Sequence, residues 1–141
     1  MFMGEYNHTV DEKGRLIIPL KFREELGNEF VITKGLDGCL FGFEKHEWAK
    51  FEEKLNTIPL TNKEGRRFSR YMLGGAAIVE TDKQGRVLIP ANLRTAANLE
   101  KDIVVVGVAN RIEIWDKATW EQASVIDDMD DIAGAMADLG I

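Results

Sequence analysis

The sequence predicts an α+β chain, mainly β, built as two tandem copies of one short β-rich module with short helices, the copies related by pseudo-two-fold symmetry. Three observations carry this expectation. Residues 11–23, DEKGRLIIPLKFR, return as residues 82–94, DKQGRVLIPANLR, at a fixed offset of 71. Each copy continues into an apolar run, Phe30-Val31-Ile32-Thr33 in the first and Ile103-Val104-Val105-Val106 in the second. Leu40 to Trp48 then matches Ile112 to Trp120 at an offset of 72. Matches in the same order, with only small slips between them, mark a duplication and define the unit before any element is assigned.

Each copy reads as the same series. A strand comes first, Tyr6 to Val10 or Ala77 to Thr81. A D-x-x-G-R turn follows, in which Gly14 and Gly85 supply the positive φ that a short hairpin loop often needs. Leu16-Ile17-Ile18 and Val87-Leu88-Ile89 are return strands by their β-branched residues. Pro19 and Pro90 end these strands and suit the first turn of a helix, giving short helices at Leu20–Leu26 and Ala91–Ala97. Two more strands follow, then a helix carrying Trp48 or Trp120, with Asp116 as its expected N-cap in the second copy.

Between the copies, Ile58 to Asn62 reads as a connection ending in a helix cap. Arg66, Phe68, Arg70, Tyr71, Met72 and Leu73 then make a basic helix ended by Gly74-Gly75. Near the C-terminus, Ile132, Met136 and Leu139 recur at i, i+4 and i+7, the spacing of a short acidic amphipathic helix. The expected organisation is a first module at 1–54, a linking basic helix at 55–75, a second module at 76–126 and an acidic tail at 127–141. A module of about 50 residues has little core of its own, and its exposed strand edges need cover. Both arguments point to pairing of the copies, within a chain and between chains, and hence to a homo-oligomer.

The 141 residues carry a net charge of −6, an unpromising balance for a nucleic-acid partner. The distribution reverses that impression. Residues 127–141 hold five acidic and no basic side chains, whereas residues 58–75 hold four basic and one acidic. A local basic surface is all that contact with phosphates requires. No run of about 18 apolar residues occurs, so no membrane span is expected. The start, Met1-Phe2-Met3-Gly4-Glu5-Tyr6, has neither the basic nor the apolar region of a secretory signal. The single cysteine, Cys39, cannot form an intramolecular disulfide or a cysteine-rich metal site alone, and a reducing cytoplasm is its simplest setting.

The repeated turns gather the candidate functional residues: Asp11, Lys13 and Arg15 in the first copy, Asp82, Lys83 and Arg86 in the second. Arginine presents a planar fork of donors that fits guanine edges or phosphate oxygens. Lysine is a point charge for phosphate. The aspartate, four residues before the arginine, can hold the guanidinium in one direction. A lone D-x-x-G-R is most often a surface ion pair that finishes a turn, worth at most about 1 kcal/mol. Its recurrence at matched positions, with lysines beside it, exceeds what folding alone demands.

The segments DEKGRLIIP, DKQGRVLIP, GRRFSRYMLGGA and VVVGVANRIEIW resemble the MraZ family over nearly the whole chain. The resemblance implies a double AbrB/MazE-like swapped-hairpin module. It also implies a nucleoid-associated transcriptional regulator that binds repeated double-stranded DNA sites upstream of the division and cell-wall gene cluster, assembled as a ring. The family's D-x-x-x-R residues fall on Asp11 and Arg15 and on Asp82 and Arg86. The second turn departs from the first: Gln84 stands where the first has Lys13, and its lysine, Lys83, comes one place earlier.

Other chemistry finds less support. His8 and His46 read as surface or packing residues, and no HxxxH, HExxH or C-x-x-C spacing suggests a metal site. No nucleophile–base set accompanies the aspartates, so neither an enzyme, a cofactor nor a small-molecule substrate is expected. Trp48, Trp115 and Trp120 read as core or module-interface residues. Arg66, Arg67 and Arg70 form either a solvated helix face or a supplement to the DNA surface. The alternative function is an antitoxin-like protein-interaction module.

Overall fold

The structure, a computed structural model, describes residues 1–141. The first copy supplies strands β1 (Phe2–Thr9), β2 (Arg15–Ile17), β3 (Glu29–Lys34) and β4 (Leu40–Phe43), with helices α1 (Leu20–Leu26) and α2 (Lys45–Asn56). Helix α3 (Lys63–Gly74) links it to β5 (Ala77–Glu80), β6 (Arg86–Leu88), α4 (Ala91–Ala96), β7 (Asp102–Ala109), β8 (Arg111–Asp116) and α5 (Lys117–Ala123). A last helix, α6 (Met129–Ala137), lies in the acidic tail. The duplicated α+β architecture expected from the repeat is present, element for element.

The copies are interleaved. One antiparallel sheet of six strands runs β1-β7-β8-β4-β3-β5, and a separate two-stranded ribbon joins β2 to β6. The first strand of each copy therefore pairs with the third strand of the other, β1 with β7 and β5 with β3. Within the first copy only a single bridge, Val10 to Leu16, joins β1 to β2. The return strand turns away from the strand before it and finds its counterpart across the pseudo-two-fold axis.

The register places that axis. In the sheet Leu40 faces Ile114, Phe41 faces Glu113 and Gly42 faces Ile112, so the offset of 72 exchanges the outer pairs and leaves the Phe41–Glu113 pair in place. In the ribbon Arg15 faces Leu88, Leu16 faces Val87 and Ile17 faces Arg86, and the offset of 71 does the same about the Leu16–Val87 pair.

Side chains alternate across a strand, so the sheet has two apolar faces. Phe30, Ile32, Leu40, Ile103, Val105, Ile112 and Ile114 pack beneath the ribbon and helices α1 and α4, meeting Leu16, Val87, Phe22 and Leu93. Val31, Phe41, Phe43, Val104 and Trp115 face the other way, against Trp48, Leu55 and Met72 of α2 and α3. Leu16 and Val87 are 0% and 1% exposed; burying such a side chain stabilises by about 1.5–3 kcal/mol. This anchors a ribbon too short to hold by its own hydrogen bonds.

Local details follow the sequence with two corrections. Asn62 caps α3, its side chain accepting from the Gly65 amide at 2.8 Å, and Gly14 and Gly85 adopt φ of 84° and 80°. Helix α4 stops one residue short of Ala97. Asp116 occupies the N-cap position of α5 but makes no capping bond. Its Oδ1 instead accepts from the Glu100 amide at 3.1 Å, which ties the start of β7 to the end of β8. Trp48 and Trp115 are buried in the second core, and Trp120 packs edge-on against Trp115 at 5.5 Å.

Candidate nucleic-acid interface

The ribbon turns one face inward and one outward. Leu16 and Val87 point into the core, so Arg15, Ile17, Arg86 and Leu88 stand on the outer face. Arg15 opposes Leu88 and Arg86 opposes Ile17, so the two arginines occupy a diagonal of a four-residue patch, a separation of about 7–8 Å in such a ladder. Ile17 and Leu88 fill the other diagonal and are exposed. The fold thus brings the two sequence-distant arginines onto one surface.

Each arginine is held by its own aspartate in the same way. Asp11 Oδ1 accepts from the amides of Lys13 and Arg15, both at 2.9 Å, and Oδ2 accepts from Arg15 Nε at 2.7 Å. Asp82 Oδ1 accepts from the amides of Gln84 and Arg86 at 2.8 and 2.9 Å, and Oδ2 accepts from Arg86 Nε at 2.8 Å. The backbone closes each turn with Gly14 N–H to Asp11 C=O and Gly85 N–H to Asp82 C=O, both 3.0 Å. One carboxylate therefore builds the turn with one oxygen and aims the guanidinium with the other.

Because Nε is the engaged nitrogen, the terminal Nη1 and Nη2 of Arg15 and Arg86 meet no protein acceptor. Their side chains stay 31% and 27% exposed. A guanidinium gripped from behind keeps its outer fork of donors for a planar acceptor. The amide of residue 15 holds the Asp11 carboxyl below the usual aspartate value, with the Arg15 side chain adding to it. The amide and then the side chain of Arg86 do the same for Asp82. Both carboxylates are thereby kept ionised and able to hold the arginines.

Lys13 and Lys83 are exposed at the turn tips. At position 13 and its counterpart 84 the turn uses only the backbone N–H. The change from Lys13 to Gln84 is therefore free of structural cost.

Two further cations were not picked out by the sequence reading. Arg94 packs over the first turn and Arg23 over the second, each lying where a Cβ on Gly14 or Gly85 would stand. Arg94 Nη1 donates to the carbonyl of Ile89 at 2.7 Å. Each turn is thus backed by an arginine of the other copy. The signal was visible: the two arginines are the last matched residues of the repeated segments. Arg23, with burial as the larger cause, also holds His8 below its usual value.

Arg66, Arg67 and Arg70 belong elsewhere. Helix α3 packs on β3 from the side of the second core, with Thr33 Oγ1 donating to the Met72 carbonyl at 2.5 Å and Tyr71 Oη to the Gly35 carbonyl at 2.6 Å. These arginines lie behind the sheet, away from the ribbon.

The family described as "MraZ protein, putative antitoxin-like" matches the chain twice, over residues 1–71 and 72–135. The chain is 57% identical to a protein of Lachnoclostridium phytofermentans over 141 residues, covering 100% of this chain and 99% of that one. It is 55% identical to one of Acetivibrio thermocellus over 143 residues and 54% identical to one of Clostridium botulinum over 142, with both chains fully covered in each case. All three relatives are called "Transcriptional regulator MraZ". No helix of the chain is long and apolar enough to cross a membrane.

Proposed function

Since the chain belongs to the MraZ family, whose named members are transcriptional regulators, we propose that it binds double-stranded DNA sequence-specifically through the outer face of the β2–β6 ribbon. The observation that carries this reading is the pair of guanidinium groups on one face, each tethered through Nε with its outer donors free. A two-stranded ribbon fits the major groove, about 12 Å wide. Arg15 and Arg86 are the base- or phosphate-contacting residues, Lys13 and Lys83 supply phosphate contacts, and Asp11 and Asp82 orient the arginines. The exposed Ile17 and Leu88 between them are of the kind that meets thymine methyl groups.

One ribbon offers few cations. Each phosphate contact adds about 0.9 to the slope of log affinity against log salt, so a single subunit binds modestly. A homo-oligomer, closed as a ring, sets several ribbons against repeated sites and gains avidity from effective concentration. The resemblance of the repeated turns to the family supports the division and cell-wall gene cluster as the regulated target.

The test is salt-dependent binding to the DNA upstream of that cluster by Arg15→Ala, Arg86→Ala and the double variant, with fold and assembly verified. The double variant should lose most specific binding. Arg15→Ala should cost more than Arg86→Ala, because Lys13 stands two residues from Arg15 and Lys83 three from Arg86. Parental affinity in the double variant would make the turns structural ion pairs only.

A further inference from the structure

The tail and the back of α3 carry matching surfaces, the one exposed throughout and the other an open cleft. Every residue from Glu121 to Ile141 is exposed, and α6 contributes no residue to either buried core. Met129, Ile132 and Met136 fall at i, i+3 and i+7 along one side of it, the spacing of an apolar stripe. A helix of nine residues is shorter than the roughly 12–15 needed to persist alone in water. The stripe therefore calls for a surface to cover it, and that surface must tolerate the five aspartates of residues 127–141.

Such a surface lies behind the sheet. The end of α2, the 57–60 connection and the outer side of α3 enclose a cleft of about 690 Å³. Leu55, Ile58, Leu60 and Leu73 give it apolar walls, and Arg66 and Arg70 stand on its rim. Leu60 is 84% exposed. Arg66 Nη1 donates to the Leu60 carbonyl at 2.9 Å, which holds its guanidinium beside the opening. Residues 58–75, four basic against one acidic, form the most basic stretch of an otherwise acidic chain.

We infer that this cleft receives helix α6 of a second copy of the chain, the apolar stripe against Leu60 and Leu73 and the aspartates of its first turn, Asp130 and Asp131, toward Arg66 and Arg70. The inference rests on the homo-oligomer reading above and gives it a contact. Tail and cleft are different patches of one chain, so the interface is heterologous; such contacts propagate from subunit to subunit and close into a ring when the rotation allows. The cleft opens on the side of the sheet away from the ribbon, so assembly by this route leaves the DNA face uncovered.

Charge reversal tests it on the full chain. Asp130→Arg with Asp131→Arg sets a basic first turn of α6 against a basic cleft; Arg66→Glu with Arg70→Glu sets an acidic cleft against the acidic tail. Sedimentation and light scattering should show a multisubunit parent, each reversed variant alone falling to smaller species, and an equimolar mixture of the two regaining the parental mass. All four positions are at least partly exposed, and circular dichroism checks the fold of each variant. If both variants keep the parental mass, the tail–cleft contact is wrong while the homo-oligomer stands. Should each be small alone and the mixture stay small, the tail docks within its own chain and the inference is overturned. A parent that is monomeric at all concentrations overturns both readings.

Discussion

Gly14 of the first copy and Arg94 of the second compete for one volume: a Cβ on Gly14 would land on the Arg94 guanidinium, and the residue also needs a φ of 84°. The glycine is thus selected twice, once by its own backbone and once by the other copy. Gly14→Ala should destabilise the fold by about 1–3 kcal/mol, the range for an L-residue forced into this region. Adding Arg94→Ala should recover part of the loss, because it removes the clash and leaves the backbone strain. Urea unfolding of the two single variants and the double variant measures this; additive losses would show that the residues do not compete.

Asp11→Asn and Asp82→Asn separate the two duties of the carboxylate. An amide oxygen can still accept from the turn amides, but the side chain's other arm now carries N–H groups and cannot accept from Arg Nε. The turns should persist and the arginines lose their aim. We expect DNA affinity to fall by about three- to tenfold per site, the scale of about 1 kcal/mol for a modest hydrogen bond, with little change in thermal stability. A loss of folding instead would assign the aspartates a structural role alone.

The same carboxylates make a prediction about pH. Their folded values are depressed below the ordinary 3.8. Each therefore contributes stability that is fully present above that value and is lost as pH falls through the lowered folded value. Carbon-detected NMR titration should find both midpoints below 3.8 in the folded protein, and DNA binding between pH 6 and 8 should show no step from these groups. A midpoint at or above the ordinary value would contradict the hydrogen bonding of the turns.

Lys13→Gln copies into the first turn what the second already has. Only the backbone N–H of this position serves the fold, so stability should be unchanged. If Lys13 meets a phosphate, the salt slope should fall by about 0.9 for each bound ribbon. An unchanged slope would remove Lys13 from the interface.

Cys39 is buried, its Sγ 3.2 Å from the Leu36 carbonyl, and its thiol is pushed up to about 12, chiefly by burial. The thiolate is the reactive form. Thiol reagents at pH 8 should label the native protein far more slowly than the urea-unfolded chain. Rapid labelling of the native state would place the thiol at the surface.

The duplication, the type of nearly every element and the positive φ of the two turn glycines were legible because each is a local or a self-similar property. Partnering was not. The residues of β1 and β2 say that each is a strand, and nothing in a period of two names the strand it will join; the D-x-x-G-R turn reads as a hairpin although its two arms bond to the other copy. Asp116 misled for a related reason. Its position favours a cap, but the Glu100 amide, brought near by β7–β8 pairing, takes the carboxylate. Arg23 and Arg94 were visible as repeated letters, yet their roles depend on a contact across the pseudo-axis.

The exchange of strands has a consequence during synthesis. The residues of β1 meet partners 93 to 107 positions later in the chain. At about 5–20 residues per second, the first strand leaves the ribosome about 5–20 seconds before its ladder can close. Over that interval the nascent first copy has an unmatched edge and half a core. On a polysome its neighbours carry the same incomplete half at high local concentration, and a first copy that pairs with another chain's second copy would satisfy every hydrogen bond described above. The topology thus makes the speed of completing one chain a determinant of whether the sheet closes within that chain or between two.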